Sequence, residues 1–546
     1  MAENDGGSSC VPLESGRQID AVIVGAGFAG LYMLHRLKQL GLEARVFEAG
    51  SGVGGTWFWN RYPGARCDVP SLEYSYQFSD ELQREWNWSE RYATQPEILR
   101  YLNHVADRFA LRGDIELETR VESARFDEAQ QLWRVRTADG REISARYCIF
   151  ATGCLSSANL PDIPGIDTFR GATYHTGRWP HEPVDFHGQR VGVIGTGSSA
   201  IQSIPLIAEQ AKTLHVFQRT PSYTVPARNR PLEPAEREEF KARHSEYRAI
   251  GHEHPFGFAH RMTEDLATAA SEQQRRERYE EHWKRGGLFF MGAFADLMLD
   301  ERANATAAEF LRSKIREIVK DPAVADALTP GYVAGSKRLC VDSGYLETFN
   351  RPNVTLVDLG RTPIEAITPE GIRAGGQLYE LDAIVFATGF DAMTGALGRI
   401  DIRGRSGHPL SERWSEGPRT YLGLAIAGFP NMFIVTGPGS PSVLTNMVPS
   451  IEQHVEWIAD AIAYLREHGL ATMEASEQAQ DAWVEHVNEV GNATLFPRAN
   501  SWYIGANVAG KPRVFMPYVG FPAYVEQCRR VAANDYEGFR LASAGS

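Results

Sequence analysis

Short β-branched and apolar runs alternate with stretches of helical period along most of the chain. Ile19–Val24 is followed by Gly25-Ala26-Gly27-Phe28-Ala29-Gly30, a helical pattern from Leu31 to Leu40, and a second run, Ala44–Phe47, that ends on Glu48. The order recurs from Arg190–Ile194 through Gly195-Thr196-Gly197-Ser198-Ser199-Ala200 and a helix past Ile207 to Leu214–Phe217, ending on Gln218-Arg219-Thr220. Two further apolar runs, Tyr147–Gly153 and Ala383–Gly389, each close on Ala-Thr-Gly. Such runs read as strands buried on both faces, with a glycine that lets the backbone turn beside a ligand. Between residues 231 and 327 Glu, Arg, Ala and Lys dominate, and Phe310, Leu311, Ile315, Ile318 and Val319 recur at helical spacing. The pattern predicts an α/β fold with two Rossmann-like dinucleotide-binding domains and a helical insertion. Residues 18–155 and 385–546 are assigned to the first domain, 156–230 and 328–384 to the second, 231–327 to the insertion, and 1–17 to a disordered tail.

Strand–turn–helix–strand context is what lifts a G-x-G-x-x-G above a bare tight turn. Gly25 permits the turn, Gly27 lets backbone approach a pyrophosphate, and Gly30 permits close helix–strand packing. The helix N-terminus offers free N–H groups and a positive dipole end. Glu48 stands where a carboxylate accepts from both ribose hydroxyls. The following Gly54-Gly55-Thr56-Trp57-Phe58-Trp59 stretch is too rich in glycine and aromatics for a linker and suits a flat ring system walled from water, so the first site reads as FAD. Its alternative is an aromatic satellite core under a long loop. The second turn, with Gly195, Gly197 and Ser198, has Arg219 and Thr220 where the first has its acid. That exchange favours a 2′-phosphate over a free hydroxyl, hence NADP rather than NAD; the alternative for Arg219 is an unliganded surface charge.

Composition narrows the setting. At 546 residues the chain has room for about three or four domain-sized units. A net charge of −13 without a long Lys/Arg block disfavours nucleic acid and anionic lipid. No apolar run approaches the roughly 18 residues that span a bilayer. The six cysteines form neither C-x-x-C nor metal-ligand spacing, so no metal is expected and the thiols read as reduced, in a cytoplasmic protein.

Between the two glycine turns lies Phe169-Arg170-Gly171-Ala172-Thr173-Tyr174-His175-Thr176-Gly177-Arg178-Trp179-Pro180. A His/Trp-bearing segment joining two dinucleotide sites implies hydride transfer from a nicotinamide to a flavin. The segment matches F-x-G-x-x-x-H-x-x-x-W-[P/D] at Phe169, Gly171, His175, Trp179 and Pro180. A companion pattern is met by Gly54, Gly55, Trp57, Tyr62, Pro63, Gly64 and Asp68. In these motifs the chain resembles the flavin-dependent Baeyer–Villiger monooxygenases, over about residues 20–530. Residues 59–68, 92–102 and 437–447 are most similar to the phenylacetone and steroid monooxygenase branch. Sibling enzymes that oxygenate nitrogen and sulfur carry Tyr near the position of Trp179.

The resemblance implies FAD and NADPH as cofactors, a small-molecule ketone and O2 as substrates, and no obligate protein partner. It implies that oxygen added at flavin C4a attacks the ketone through a tetrahedral adduct, giving an ester or lactone. Lys337 is expected on the 2′-phosphate, Arg338 at the reacting oxygen, Asp68 orienting that arginine, and Trp502 on NADP. Ser442, Val443 and Leu444 are expected to border the substrate pocket. A permanently protonated guanidinium suits stabilisation of a peroxyanion. His175 and Trp179 are read as coupling the NADP domain to the flavin rather than as catalysts, because the reaction needs no strong base. The rival readings are an N- or S-oxygenating monooxygenase, a reductase serving a partner protein, and a silent nucleotide sensor.

Overall fold

The computed structural model describes residues 10–543. Its larger sheet runs in the order Asp401–Arg403, Val121–Asp127, Leu132–Thr137, Glu142–Phe150, Gln18–Val24, Ala44–Phe47 and Ile115–Glu116, with Met432–Ile434 pairing on Glu142–Phe150. Gln18–Val24 is parallel to both of its neighbours. Ala21, Val22, Ile23, Cys148, Ile149 and Phe150 are fully buried because helices and loops cover both faces; the strands are therefore apolar runs and not alternating ones. The second sheet orders Val354–Asp358, Thr213–Gln218, Arg190–Ile194, Ala383–Phe386 and Ala172–His175, all parallel. The first sheet is parallel around Gln18–Val24 and antiparallel along Val121–Asp127, Leu132–Thr137 and Glu142–Phe150, the second is parallel throughout, and with their glycine turns they are the two Rossmann-type units.

Two boundaries differ from the sequence reading. Ala383–Phe386 lies wholly within the second sheet, so a return to the first unit at residue 385 would cut a strand. Residues 10–17 are not a free tail. Leu13 is buried and its N–H donates to Glu116 Oε1 at 2.9 Å, and the Gly16 N–H donates to the Glu142 carbonyl at 2.8 Å. With the Arg141 guanidinium on the Leu13 carbonyl and the Ser144 N–H on the Arg17 carbonyl, both at 2.9 Å, these contacts lay that segment on the sheet. The rest of the assigned tail, residues 1–9, lies outside the described residues.

The insertion folds as helices Pro234–Ala242, His244–Glu253, Glu272–Arg285, Glu301–Ile318 and Pro322–Ala327. Asp300 caps Glu301–Ile318 by accepting from the Arg302 and Ala303 N–H groups. Leu311 and Ile315, apolar at helical spacing, are buried on its inner face. Among the described residues, no helix is long and apolar enough to cross a membrane.

Candidate active site

Both glycine turns are shaped by contacts that exclude a side chain. A Cβ on Gly30 would lie 1.8 Å from the Gly25 carbonyl oxygen, and one on Gly25, at φ +105°, would lie 2.6 Å from the Ala151 carbonyl oxygen. The first turn is thus pressed against the end of the strand that closes on Ala-Thr-Gly. The second repeats the arrangement, since a Cβ on Gly195 would lie 2.4 Å from the Ala387 carbonyl oxygen. Gly27 and Gly55 bring two backbones together, because a Cβ on Gly55 would lie 2.8 Å from the Gly27 Cα. Helices Phe28–Gln39 and Ser198–Gln210 begin without a side-chain cap, which leaves their first N–H groups free for an anion.

A single cavity of about 1760 Å³ runs along both turns. Gly25, Gly27, Glu48, Gly55, Thr56, Trp57, Asp68, Gly195, Gly197, Ser198, Arg219, Thr220, Lys337, Arg338, Val443 and Trp502 all line it; Gly30 lies behind the turn. Glu48 is fixed at the edge, with Oε2 accepting from the Ala26 N–H at 2.8 Å and Oε1 from the Gly50 N–H at 2.7 Å. Five buried polar atoms that face this cavity have no partner: Asn60 Oδ1, Ser157 Oγ, Thr445 Oγ1, Ser501 Oγ and Asn507 Oδ1. Orphaned groups of this kind are destabilising unless a ligand satisfies them, so the cavity fits large polar cofactors.

The cations follow the same logic. Neither Arg219 nor Lys337 pairs with a carboxylate among the described residues, although the ammonium of Lys337 lies 4.8 Å from the Tyr332 ring centre. Burial, and then the charge of Arg219, depress the pKa of Lys337. Two cations facing one another across a cavity without a protein anion fit a phosphate.

Arg338 is held on three sides. Its Nε donates to Asp68 Oδ2 and its Nη2 to Asp68 Oδ1, both at 2.7 Å, while Nη1 donates to the Val443 carbonyl at 3.0 Å. Burial works against its charge, but the Asp68 carboxylate outweighs that and holds its pKa above the ordinary arginine value. The result is a permanent cation whose orientation is fixed by a bidentate pair.

The 442–444 loop divides its work. Val443 lines the cavity and holds Arg338. Ser442, at φ +44°, turns its hydroxyl inward to Cys154 Sγ at 3.0 Å, and Leu444 packs beside the neighbouring apolar cluster without lining the cavity. Ser442 and Leu444 are not among the residues that line the cavity. Met393 and Thr436, also at positive φ, complete the strained wall around Cys154.

The His/Trp motif builds an edge strand. A Cβ on Gly171 would lie 2.4 Å from the Asp382 carbonyl oxygen, and Phe169 packs on the second sheet's core. His175 Nδ1 accepts from the Gly177 N–H at 2.9 Å, its Nε2 lies 3.3 Å from Thr388 Oγ1, and burial lowers its pKa. Trp179 is buried against Tyr174 and Phe186. None of the four lines the cavity, whereas Gly177 and Arg178, within the same motif, do. Sequence reasoning passed over those two; no pattern in the chain marks them. Among the described residues no cluster of His, Cys, Asp or Glu could hold a metal.

Comparison with known proteins adds a family profile described as pyridine nucleotide-disulphide oxidoreductase, which matches residues 22–271. A protein of Pseudooceanicola batsensis named Baeyer-Villiger monooxygenase is 44% identical over 92% of this chain and 92% of its own. A phenazine N-monooxygenase of Lysobacter antibioticus is 42% identical over 96% of this chain and 97% of its own. A solved structure described as an oxidized steroid monooxygenase bound to NADP superposes with a TM-score of 0.92 at 55% identity, covering 96% of this chain and all of that one.

Proposed function

The chain belongs to the flavin-dependent Baeyer–Villiger monooxygenases, and from that membership we propose how its residues divide the conversion of a ketone to an ester or lactone. Its cofactors are FAD and NADPH. We assign FAD to the first glycine turn, with Glu48 taking the ribose hydroxyls, and NADPH to the second, with Arg219, Thr220 and Lys337 taking the 2′-phosphate. When bound, the reduced flavin supplies the activated oxygen. Arg338 faces that oxygen and stabilises the negative charge that develops as it is transferred, a contribution of about 3–4 kcal/mol for a single donor of this type. Asp68 keeps the guanidinium aimed, and Val443 fixes its far side. Trp502 covers NADP, and the closed wall of Val443, Cys154 and Thr436 excludes water. His175 and Trp179 hold the connection between the units and take no part in the chemistry. We propose that the enzyme works in the cytoplasm, a reading supported by its free cysteines.

One observation carries the reading: the Asp68–Arg338 pair sits in the wall of the one cavity that both dinucleotide turns share. The test is a panel of aryl, cyclic, steroidal and aliphatic ketones with NADPH and ¹⁸O₂. Labelled ester or lactone is expected from at least one ketone. The 42% identical phenazine N-monooxygenase makes an aromatic N-heterocycle the control substrate. N-oxide from that control with no ester from any ketone would reassign the reaction.

A further inference from the structure

Helix Ser198–Gln210, whose first turn lines the shared cavity, turns one face toward the Asp68–Arg338 pair. Residues 198, 202 and 206 share that face at four-residue spacing. Ser198 Oγ lies 3.4 Å from Cys340 Sγ, two residues beyond Arg338. Gln202 reaches the loop that leads into Asp68. Its Oε1 accepts from the Tyr62 hydroxyl at 2.8 Å and from the Arg66 N–H at 3.4 Å. Its Nε2 donates to the Arg66 carbonyl at 3.1 Å. One amide thus engages both main-chain groups of a residue two places before Asp68.

Packing holds the two elements together. Gly64, at φ +80°, is pressed onto the helix: a Cβ there would lie 2.3 Å from the Gln202 carbonyl oxygen and 3.2 Å from Leu206 Cδ1. The Tyr62 ring packs on the second unit's core, and Tyr62, Arg66 and Gln202 all line the cavity. On its other side the loop is tied to its own unit. The Cys67 N–H donates to the Ala93 carbonyl at 3.2 Å, and the Gln95 N–H donates to the Ala65 carbonyl at 2.8 Å. Ser199 Oγ, on the first turn of the same helix, meets Thr176 Oγ1 of the His/Trp motif at 3.1 Å. This end of the helix therefore touches the loop of Asp68, the strand after Arg338 and the segment between the units.

We propose that Gln202 is a positioning residue: its amide sets the 62–68 loop, and with it Asp68, from the helix whose first turn receives the nicotinamide nucleotide. The proposal rests on the reading of the second glycine turn as the NADPH site and of Arg338 as the cation facing the transferred oxygen. A nucleotide on the helix N-terminus constrains the turn that bears Ser198. Gln202, four residues on, passes that constraint to Arg66 and so to the carboxylate that aims Arg338.

The experiment compares the FAD-loaded parent with Gln202→Met, which keeps the side-chain length and loses the amide. In the parent, NADP⁺ is expected to slow hydrogen exchange across residues 62–68. In Gln202→Met that slowing should be lost at saturating NADP⁺, while Kd for NADP⁺ stays within about threefold. Ester formed per NADPH should fall about tenfold, the size of one or two neutral hydrogen bonds. The balance should appear as hydrogen peroxide, with NADPH, a proton and O2 giving NADP⁺ and H2O2. The loss should fall on kcat with KM for the ketone held. Tyr62→Phe, which keeps the amide on Arg66, should lower the same ratio about fivefold, and the double variant should be no worse than Gln202→Met alone. If Gln202→Met does not retain FAD, Tyr62→Phe carries the test. Parent-like protection and coupling in the variant, or no effect of NADP⁺ on residues 62–68 of the parent, overturns the proposal. Loss of NADP⁺ affinity in step with coupling marks a merely structural role and overturns it too. A parent that forms no ester, although its 62–68 loop responds to NADP⁺ through Gln202, counts instead against the functional reading.

Discussion

Asp68 takes both Nε and Nη2 of Arg338 at 2.7 Å across 270 positions of sequence. The pair spans the two units, since Asp68 follows the first glycine turn and Arg338 follows the insertion. Aiming the guanidinium and joining the units are therefore the same interaction. Breaking a largely desolvated pair by removing one partner leaves the other charge uncompensated, which typically costs more than the pair contributes.

Asp68→Asn keeps the shape but replaces one charge-assisted acceptor with a donor. Flavin reduction by NADPH is expected to persist while ester formation falls about 100-fold, the loss seen when a transition-state donor is misdirected. Stopped-flow reduction beside product analysis checks this. Equal loss in both half-reactions would mean that Asp68 serves cofactor binding alone.

Arg219→Ala should raise KM for NADPH about 10- to 100-fold, as one lost charge-assisted contact does, with little change for NADH. Lys337 adds a pH signature. Its pKa is depressed by burial and by Arg219, so NADPH affinity should weaken as pH rises through that depressed value, below the ordinary lysine range. Lys337→Met should remove this alkaline dependence. Titration of NADPH binding against pH in the parent and variant decides it.

Two glycines of the dinucleotide turns should fail differently. Gly30→Ala places a Cβ 1.8 Å from a backbone oxygen and should give protein without FAD or no folded protein. At Gly197 a Cβ would meet nothing within 4 Å and φ is not positive, so Gly197→Ala should fold, bind FAD and lose affinity for NADPH. Bound-flavin absorbance and NADPH KM separate the two.

The turns, their acids and cations, and the insertion were legible because each is local: a glycine geometry, a strand end, a helical period. Arg338 and Asp68 were legible only through family motifs, since nothing near either residue marks them as partners. The inward turn of the Ser442 hydroxyl was not legible, for a physical reason. Side-chain direction in that loop is set by left-handed backbone at Ser442, which spacing does not reveal. Residues 10–17 were misread because a polar, glycine-rich segment looks disordered until the acceptors Glu116 and Glu142 are known.

Within the insertion, buried His254 and half-buried His260 have ring centres 4.5 Å apart. His254 Nδ1 accepts from the Phe256 N–H, and His254 Nε2 and His260 Nδ1 have no partner. Burial lowers His254 to about 4 and, with the neighbouring His254, Arg285 and His282, lowers His260 to about 3. Both are thus neutral in the folded protein, while the unfolded chain takes up protons near 6.5. Stability should fall as pH drops from about 6.5 toward 4, by on the order of 3 kcal/mol for His254. Glu73 acts in the opposite direction. Desolvation pushes it up to about 7, against an ordinary 4.5, although it accepts from the Ala259 N–H at 2.7 Å. Its ionisation should erode stability as pH rises from 4.5 through 7. His254→Phe should therefore flatten the fall of melting temperature below about pH 6.5, and Glu73→Gln, by removing an opposing contribution between pH 4.5 and 7, should steepen it. A His254→Phe profile parallel to that of the parent below about pH 6.5 would show that the pair is not the acid-sensitive element.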